Sequence, residues 1–378
     1  MSTAAPPSAK KADFQAADIS AKGIPSAIRY SPCPGLWCVT AYYNPVHYRT
    51  RRVNYETFAS PLRTAGIPLL TVECAFGDDP FDLPPGPDVL QVRGRDVLWQ
   101  KERLINLGVA RLPPEADKVA WLDCDILFAN PNWALETAAL LDRVAVVQPW
   151  EKAVLLKQGD FRSRGEETEW DCFAKVTARD SQALTRGYFG SHGHTGFAWA
   201  ARRSFWTAHG LYEAFLSGNG DHYMAHAFLG DLESPCMVPL RHIFRPHMNP
   251  AWTAWQKRLK RVSRLIPPGW KSRVRRIPGV SRPTGPFWEH FDAWAAPVTG
   301  FTDGKLGWIP GKIHHLWHGE VGEKRGHGDG WLAMNRQLFD PFRDIGVGSG
   351  GCLEWSSDKP DLHRWALGFF IARQEDGP

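Results

Sequence analysis

No apolar run in the 378-residue sequence approaches the ~20 residues that a membrane-spanning helix requires. The opening MSTAAPPSAKKADFQAADISAKG is made of small and charged residues and lacks the apolar segment of a secretion signal, so it predicts a disordered tail over residues 1–30. Cys-x-x-Cys pairs are absent. The seven cysteines (Cys33, Cys38, Cys74, Cys124, Cys172, Cys236 and Cys352) are odd in number and irregularly spaced. That argues against a disulfide framework or a zinc ribbon and predicts a cytoplasmic protein, at most peripheral at a membrane. Internal repeats are missing as well. Acid is missing from the most basic stretch: between Ser234 and Trp288 there are 12 Lys/Arg and no Asp or Glu, while the rest of the chain carries 33 basic and 40 acidic residues. A chain of net charge +5 therefore concentrates its positive charge in one segment, which predicts a local anionic partner.

What is present fits a large folded core. The sequence is 43% hydrophobic, with 18 Trp and 30 Pro. From Leu36 onward it alternates as strand and helix. Leu36–Tyr42, Ile67–Glu73, Val89–Val92, Val119–Leu122, Val144–Gln148 and Phe197–Ala201 read as strands. Arg51–Ala65, Trp99–Leu112, Ala134–Leu141 and Arg203–His209 read as helices, the second stopped by Pro113-Pro114. This pattern predicts an α/β fold: a mostly parallel, Rossmann-like sheet flanked by helices. Glu151–Gly190 predicts a long loop with helical pieces. GWIPGKIHHLWHGE resembles a hairpin turning at Pro310-Gly311, and Trp331–Phe342 and Leu362–Arg373 read as late helices.

The stretch KVAWLDCDILFANPNW stands out. An apolar strand runs into Asp123-Cys124-Asp125. On a continuous strand, residues i and i+2 face the same side, so the two carboxylates would aim at one point. Carboxylates gathered in this way repel, and a divalent cation such as Mg2+ or Mn2+, shared with substrate phosphates, relieves the repulsion. The same triplet also suits a polar turn after a core strand. Its place at the end of a buried strand is where open α/β sheets bind ligands.

Six pieces in order resemble metal-dependent, nucleotide-sugar-using glycosyltransferases of the type-A fold, including bacterial and phage glycosyltransferase-like proteins. They are LWCVTAYYNP, LWQKERLIN, WLDCDILF, HTGFAWAARRSF, GNGDHYMA and HHLWHG, spanning Leu36 to Gly319. The resemblance implies that Asp123 and Asp125 hold Mn2+ or Mg2+ against the diphosphate of a UDP- or GDP-linked sugar. It implies a late histidine as a further ligand: His318, or else His315, which strand alternation would turn the other way. Thr40, Tyr42, Asn44 and Glu73 would meet the nucleoside, Lys101 would reach the diphosphate, and Trp99 would pack beneath. Lys101 and Glu102 equally suit a solvated helix face. Asp221 occupies the place of the carboxylate base of inverting members, with backbone amides at its helix start lowering its pKa. Asp221 also suits a helix cap. His222 would orient that base or cap the helix. Gly193–Gly196 would form an acceptor-side loop carrying His194. The implied division is a tail over 1–30, a nucleotide-sugar-binding catalytic domain over 31–245, and a basic acceptor-side lobe over 246–378 whose end returns to the active site.

Within that lobe, AWTAWQKRLKRVSRLI (Ala251–Ile266) predicts a helix with Trp252, Trp255, Leu259 and Val262 on one face and Lys/Arg over the rest. Such a face packs on its own domain, lies on a membrane or glycolipid surface, or follows a DNA backbone. Residues 251–282 are therefore the expected docking surface for an anionic acceptor. The function expected is sugar transfer to a glycan or glycolipid hydroxyl. The alternatives are a DNA-modifying glycosyltransferase acting on hydroxylated bases, and a non-catalytic anion-binding protein on a decayed glycosyltransferase fold.

Overall fold

In a computed structural model, residues 28–180, 182–186, 191–234, 237, 286–319 and 339–377 are described. Among the described residues, thirteen strands run in chain order. They are β1 (Leu36–Tyr43), β2 (Leu69–Phe76), β3 (Val89–Gly94), β4 (Lys118–Leu122), β5 (Ile126–Phe128), β6 (Val146–Gln148) and β7 (Lys152–Leu155). β8 (Glu169–Asp171), β9 (Ala198–Arg202), β10 (Leu306–Trp308), β11 (Lys312–His315), β12 (Ile345–Val347) and β13 (Leu353–Trp355) complete the set. The principal helices are α1 (Arg49–Thr64), α2 (Lys101–Arg111), α3 (Trp133–Leu140), α4 (Phe173–Arg179), α5 (Arg203–Ala208), α6 (Gly220–Leu229), α7 (Pro286–Thr302) and α8 (Pro360–Ile371).

The central sheet has seven strands in the order β3-β2-β1-β4-β9-β6-β10. Only β9 runs antiparallel to its neighbours β4 and β6. The fold is mixed α/β, with a large, mostly parallel sheet flanked by helices, as the strand–helix alternation predicts. Period-two alternation decides which helix each side chain meets. Val39, Ala41 and Tyr43 of β1 face the core containing Leu104, Ile105 and Val109 of α2. Cys38 and Tyr42 face the opposite core, with Tyr55, Phe58 and Leu62 of α1. β1 sits between β2 and β4. The chain thus winds away from β1 in both directions, and the carboxyl ends of β1 and β4 bracket the crevice where such sheets take ligands.

Several expectations change. Glu151–Gly190 is not one long loop: β7, β8 and α4 lie within it. The segment around Pro310-Gly311 is not a hairpin. β10 pairs with β6 in the central sheet, while β11 joins a second, four-stranded sheet ordered β5-β11-β7-β8. The turn hands the chain from one sheet to the other. Gly311 takes φ +118°, and its carbonyl accepts from the amides of Glu151 and Lys152, fastening the start of β7. Residues 286–319, assigned to a C-terminal lobe from sequence, contribute to both sheets, and α7 packs on α6. The Ala251–Ile266 helix, the 251–282 surface and most of Trp331–Phe342 lie outside the described residues. Among the described residues, no helix is long and apolar enough to cross a membrane, and Cys33, Cys38, Cys74, Cys124, Cys172 and Cys352 are unpaired.

α2 meets the sheet at Gly108, which has no side chain. A Cβ there would come within 2.7 Å of Val39 Cγ1 and 2.8 Å of Val72 Cγ2. Gly108→Ala gains about 1 kcal/mol of helix propensity but overpacks the core, at a cost of about 1–3 kcal/mol. We expect net destabilisation of about 1 kcal/mol, read as a lower urea midpoint at unchanged slope. A midpoint above wild type would show that the helix simply shifts away.

Candidate active site

β4 stops at Leu122, so Asp123-Cys124-Asp125 forms a turn before β5 instead of continuing the strand. The i/i+2 rule therefore does not apply, and the two carboxylates go to different partners. Asp123 Oδ1 meets Lys101 Nζ at 2.6 Å. Asp125 faces the end of β11, with Oδ2 3.5 Å from His318 Nε2 and Oδ1 3.8 Å from His315 Nε2. β11 ends at His315, so strand alternation does not separate the histidines either. Their Nε2 atoms are 3.0 Å apart.

This set fits a divalent ion on its own chemistry. One ligand atom from each of Asp125, His315 and His318 lies within 4.8 Å of the others. Asp125 Oδ1 is buried with no hydrogen-bond partner, the situation a cation resolves. Burial pushes the Asp125 carboxyl above its usual range, with His318 opposing. Behind His318 lies a layer that sequence reasoning missed. His318 Nδ1 is 3.7 Å from Glu375 Oε1, and Glu375 also pairs with Arg51 Nη1 at 3.2 Å and with Arg373 Nε. Burial alone would raise the Glu375 carboxyl, but Arg373, Arg51 and His318 overcome it and hold it well below the carboxylate range. A carboxylate on the far nitrogen fixes the ring that ligates a metal. No local motif announces Glu375.

The second group centres on Lys101 at the start of α2. Its ammonium also meets Asp221 Oδ2 at 2.9 Å. Burial works to discharge it, while Asp123, Asp221 and Glu102 hold its pKa well above the usual value. Burial also pushes Asp221 up, with Lys101 opposing. That corrects the expectation of a lowered pKa: at this helix start, loss of water outweighs the amides. Lys101 and Glu102 are not on a solvated face. Glu102 is 1% exposed, accepts from Trp99 Nε1 at 2.9 Å, and is pushed by burial up to about 8. Gly220 leaves room for it, since a Cβ there would lie 2.6 Å from Glu102 Oε1. Trp99 stacks on Phe370 of α8 and meets Tyr43 edge-on.

Between the two groups runs the loop 193–197. Gly196 leaves 3.3 Å from a built Cβ to Asp221 Oδ2. Phe197, at φ +75°, holds a strained backbone for a bulky residue; its carbonyl accepts from Asp123 N at 2.7 Å and its ring lies 4.8 Å from that of His315. His194 stacks between Phe197 and Trp170. Burial, with His192, Lys101 and His222 nearby, takes its pKa down to about 3, so it is neutral. His222 is buried against His192 and His226.

At the ends of β1 and β2 a small cleft is lined by Tyr42, Asn44, His47, Glu73 and Asp82. Tyr42 donates its hydroxyl to Asp82 Oδ2, and Asn44 Nδ2 donates to the same oxygen. Glu73 is 2% exposed and accepts from the amides of Asp82 and Leu83 and from Gln91. It thereby shapes the cleft wall. Thr40 lies beneath, fully buried, its hydroxyl donated to Leu122 O.

No protein-family model matches the sequence, and no curated protein matches it. Among solved structures it is similar to two of Drosophila β1,4-galactosyltransferase 7. One is a mutant in complex with manganese, UDP-Gal and xylobiose, at 15% identity over 50% of this chain and 59% of that one, TM-score 0.27. The other is the catalytic domain with xylobiose, at the same identity and coverage, TM-score 0.25. The 4-diphosphocytidyl-2C-methyl-D-erythritol synthase of Anaerococcus prevotii DSM 20548 is 10% identical over 73% of this chain and 88% of that one, TM-score 0.29. The chain spans 59% of the length of the galactosyltransferase chains. Superpositions this loose say nothing of activity, which must be read from the side chains.

Glu102 gives a direct check on this electrostatic layout. Its folded pKa, about 8, lies above that of an unfolded glutamate. The folded state therefore binds the extra proton, and the stability it confers is lost as pH rises from the unfolded pKa through about 8. Relative to Glu102→Gln, wild type should lose stability across that window, with a slope of up to about 1.4 kcal/mol per pH unit, the one-proton limit. Parallel urea-derived stabilities from pH 5 to 9 would show that Glu102 is ionised in the fold.

Proposed function

We propose that this protein is a divalent-metal-dependent glycosyltransferase that moves a sugar from a nucleotide-sugar donor to an acceptor hydroxyl. The observation that carries this is the meeting of Asp125 with His315 and His318, near the lysine-paired carboxylate of Asp221, at the carboxyl ends of β1 and β4. The metal ligands are Asp125, His315 and His318; Asp123 belongs to the lysine group. A bound Mn2+ or Mg2+ supplies Lewis-acid neutralisation of the departing nucleoside diphosphate. Glu375 orients His318 from behind. The cleft of Tyr42, Asn44 and Asp82 receives the nucleoside, UDP- or GDP-linked, against the wall that Glu73 holds.

Asp221 is the base. It takes the proton from the acceptor hydroxyl as that oxygen attacks the anomeric carbon. Burial makes it a stronger base than a solvated aspartate, and Lys101 holds it in position. The acceptor approaches over the 193–197 loop, beside the half-buried Trp170 ring that backs His194. A glycan or glycolipid suits the Lys/Arg-rich segment 251–282, a suggestion that rests on sequence alone.

The test is release of nucleoside diphosphate from a panel of nucleotide sugars, with and without Mn2+. Release should require the metal and fall to background in Asp125→Asn. Asp221→Asn should lower kcat by about 10^2-fold or more while calorimetry still detects donor binding. Silence with every common donor in the presence of metal, or undiminished metal-dependent nucleotide affinity in Asp125→Asn, would overturn the proposal.

A further inference from the structure

Behind the 193–197 loop lies a second histidine cluster, sharing no residue with the Asp125 set. His222 and His226 are one turn apart on α6, so they occupy one helix face. His192 is the residue just before that loop. All three are at most 2% exposed. One nitrogen from each lies within 4.8 Å of one from each of the others, and the ring centroids are 4.6–5.2 Å apart.

The surroundings select the tautomers. His226 Nδ1 lies 3.2 Å from both the carbonyl and Oδ2 of Asp231, which is itself buried just past the end of α6. His192 Nδ1 lies 2.9 Å from the Gly193 carbonyl. Each acceptor calls for an Nδ1–H donor, which puts the lone pair of each ring on Nε2. A carboxylate or carbonyl on the far nitrogen is the usual support of a ligating imidazole. The loop is built to present His192. Gly193 takes φ +82°, and a Cβ there would lie 2.7 Å from the Cys172 carbonyl, so only glycine makes this turn. Phe173 closes the cluster, 5.3 Å from His192 and 5.1 Å from His226.

We infer that His192, His222 and His226 form a second metal site, specific for a nitrogen-preferring transition ion, zinc foremost. Three imidazoles suit zinc, whereas manganese and magnesium favour the oxygen-bearing Asp125 set. Ligand nitrogens on bonds of 2.0–2.1 Å stand roughly 3.4 Å apart in a tetrahedron, so the rings draw together on binding. Asp231, behind His226, offsets part of the charge. The ion ties the loop that touches Asp221 to the helix that carries Asp221, fixing both sides of that carboxylate. This site does not depend on the glycosyltransferase proposal, and its test involves no sugar transfer.

The full chain is stripped with chelator, reloaded with zinc, desalted and assayed for metal by mass spectrometry. To disable the other histidine set, the background is an Asp125→Asn, His318→Gln double variant. It should retain one zinc per chain, and adding His226→Gln should remove it. The zinc-loaded double variant should also melt about 2 °C or more above the stripped form at zinc some 100-fold above its Kd. Should the His226→Gln protein fail to fold, Co2+ added to the double variant replaces that arm. Intense visible bands of a tetrahedral nitrogen site support the assignment, and their absence overturns it. A double variant that retains no zinc, or a folded His226→Gln protein that keeps it, equally overturns it.

Discussion

The site depends on a lysine ammonium kept from water between two carboxylates. Lys101, Asp123 and Asp221 come from a helix start, a strand end and another helix start, 120 residues apart at the extremes. Each charge is tolerable only because the others are there; removing one partner of a buried pair leaves the rest uncompensated. α2 packs against the sheet at Gly108, where a Cβ would meet Val39 and Val72. Burial pushes the next residue, Glu102, up to about 8, so it is mostly protonated at neutral pH. Gly220 then makes room for its carboxyl under α6. Lys101 thus holds Asp221, with Gly220 and the mostly neutral Glu102 beside it.

A second compensated cluster stands beside the first. Arg51 and Arg373 offset Glu375, which backs His318, which faces Asp125. The first cluster sets two carboxylates against one ammonium, and each carboxylate has an oxygen on that ammonium. The second leaves a buried oxygen of Asp125 without a donor. In the proposed function the metal therefore goes to Asp125, whose buried oxygen lacks a donor, while Asp123 stays with the lysine.

Much of this frame was legible in the sequence, because it follows from periodicity. The strand–helix alternation placed WLDCD at a strand end and Asp221 at a helix start, and both stand where the pattern put them. The split of Asp123 from Asp125 was not legible: it depends on a turn forming after Leu122, and the apolar run that resumes at Ile126 reads as the same strand continuing. β10 and β11 read as a hairpin because a Pro-Gly turn says that the chain reverses but not that it changes sheets. Glu102 carried a usable signal, a tryptophan three residues before it, just ahead of the helix. His222 and His226 carried another, the i/i+4 spacing. Arg51 and Glu375 carried none, since a long-range ion pair leaves no local trace.

The Arg51–Glu375 pair joins residues 324 positions apart. Synthesis runs from the N-terminus, and domains begin to fold as their segments emerge. β1, α1 and β4 can assemble while Glu375 is still to be made. Until then the Arg51 guanidinium stays hydrated, because burying it alone would be costly. Contacts of such long separation close late. A nascent chain can therefore complete its central sheet well before the carboxylate that backs His318 arrives, so forming the sheet and closing this charge cluster are separate events in the life of this protein.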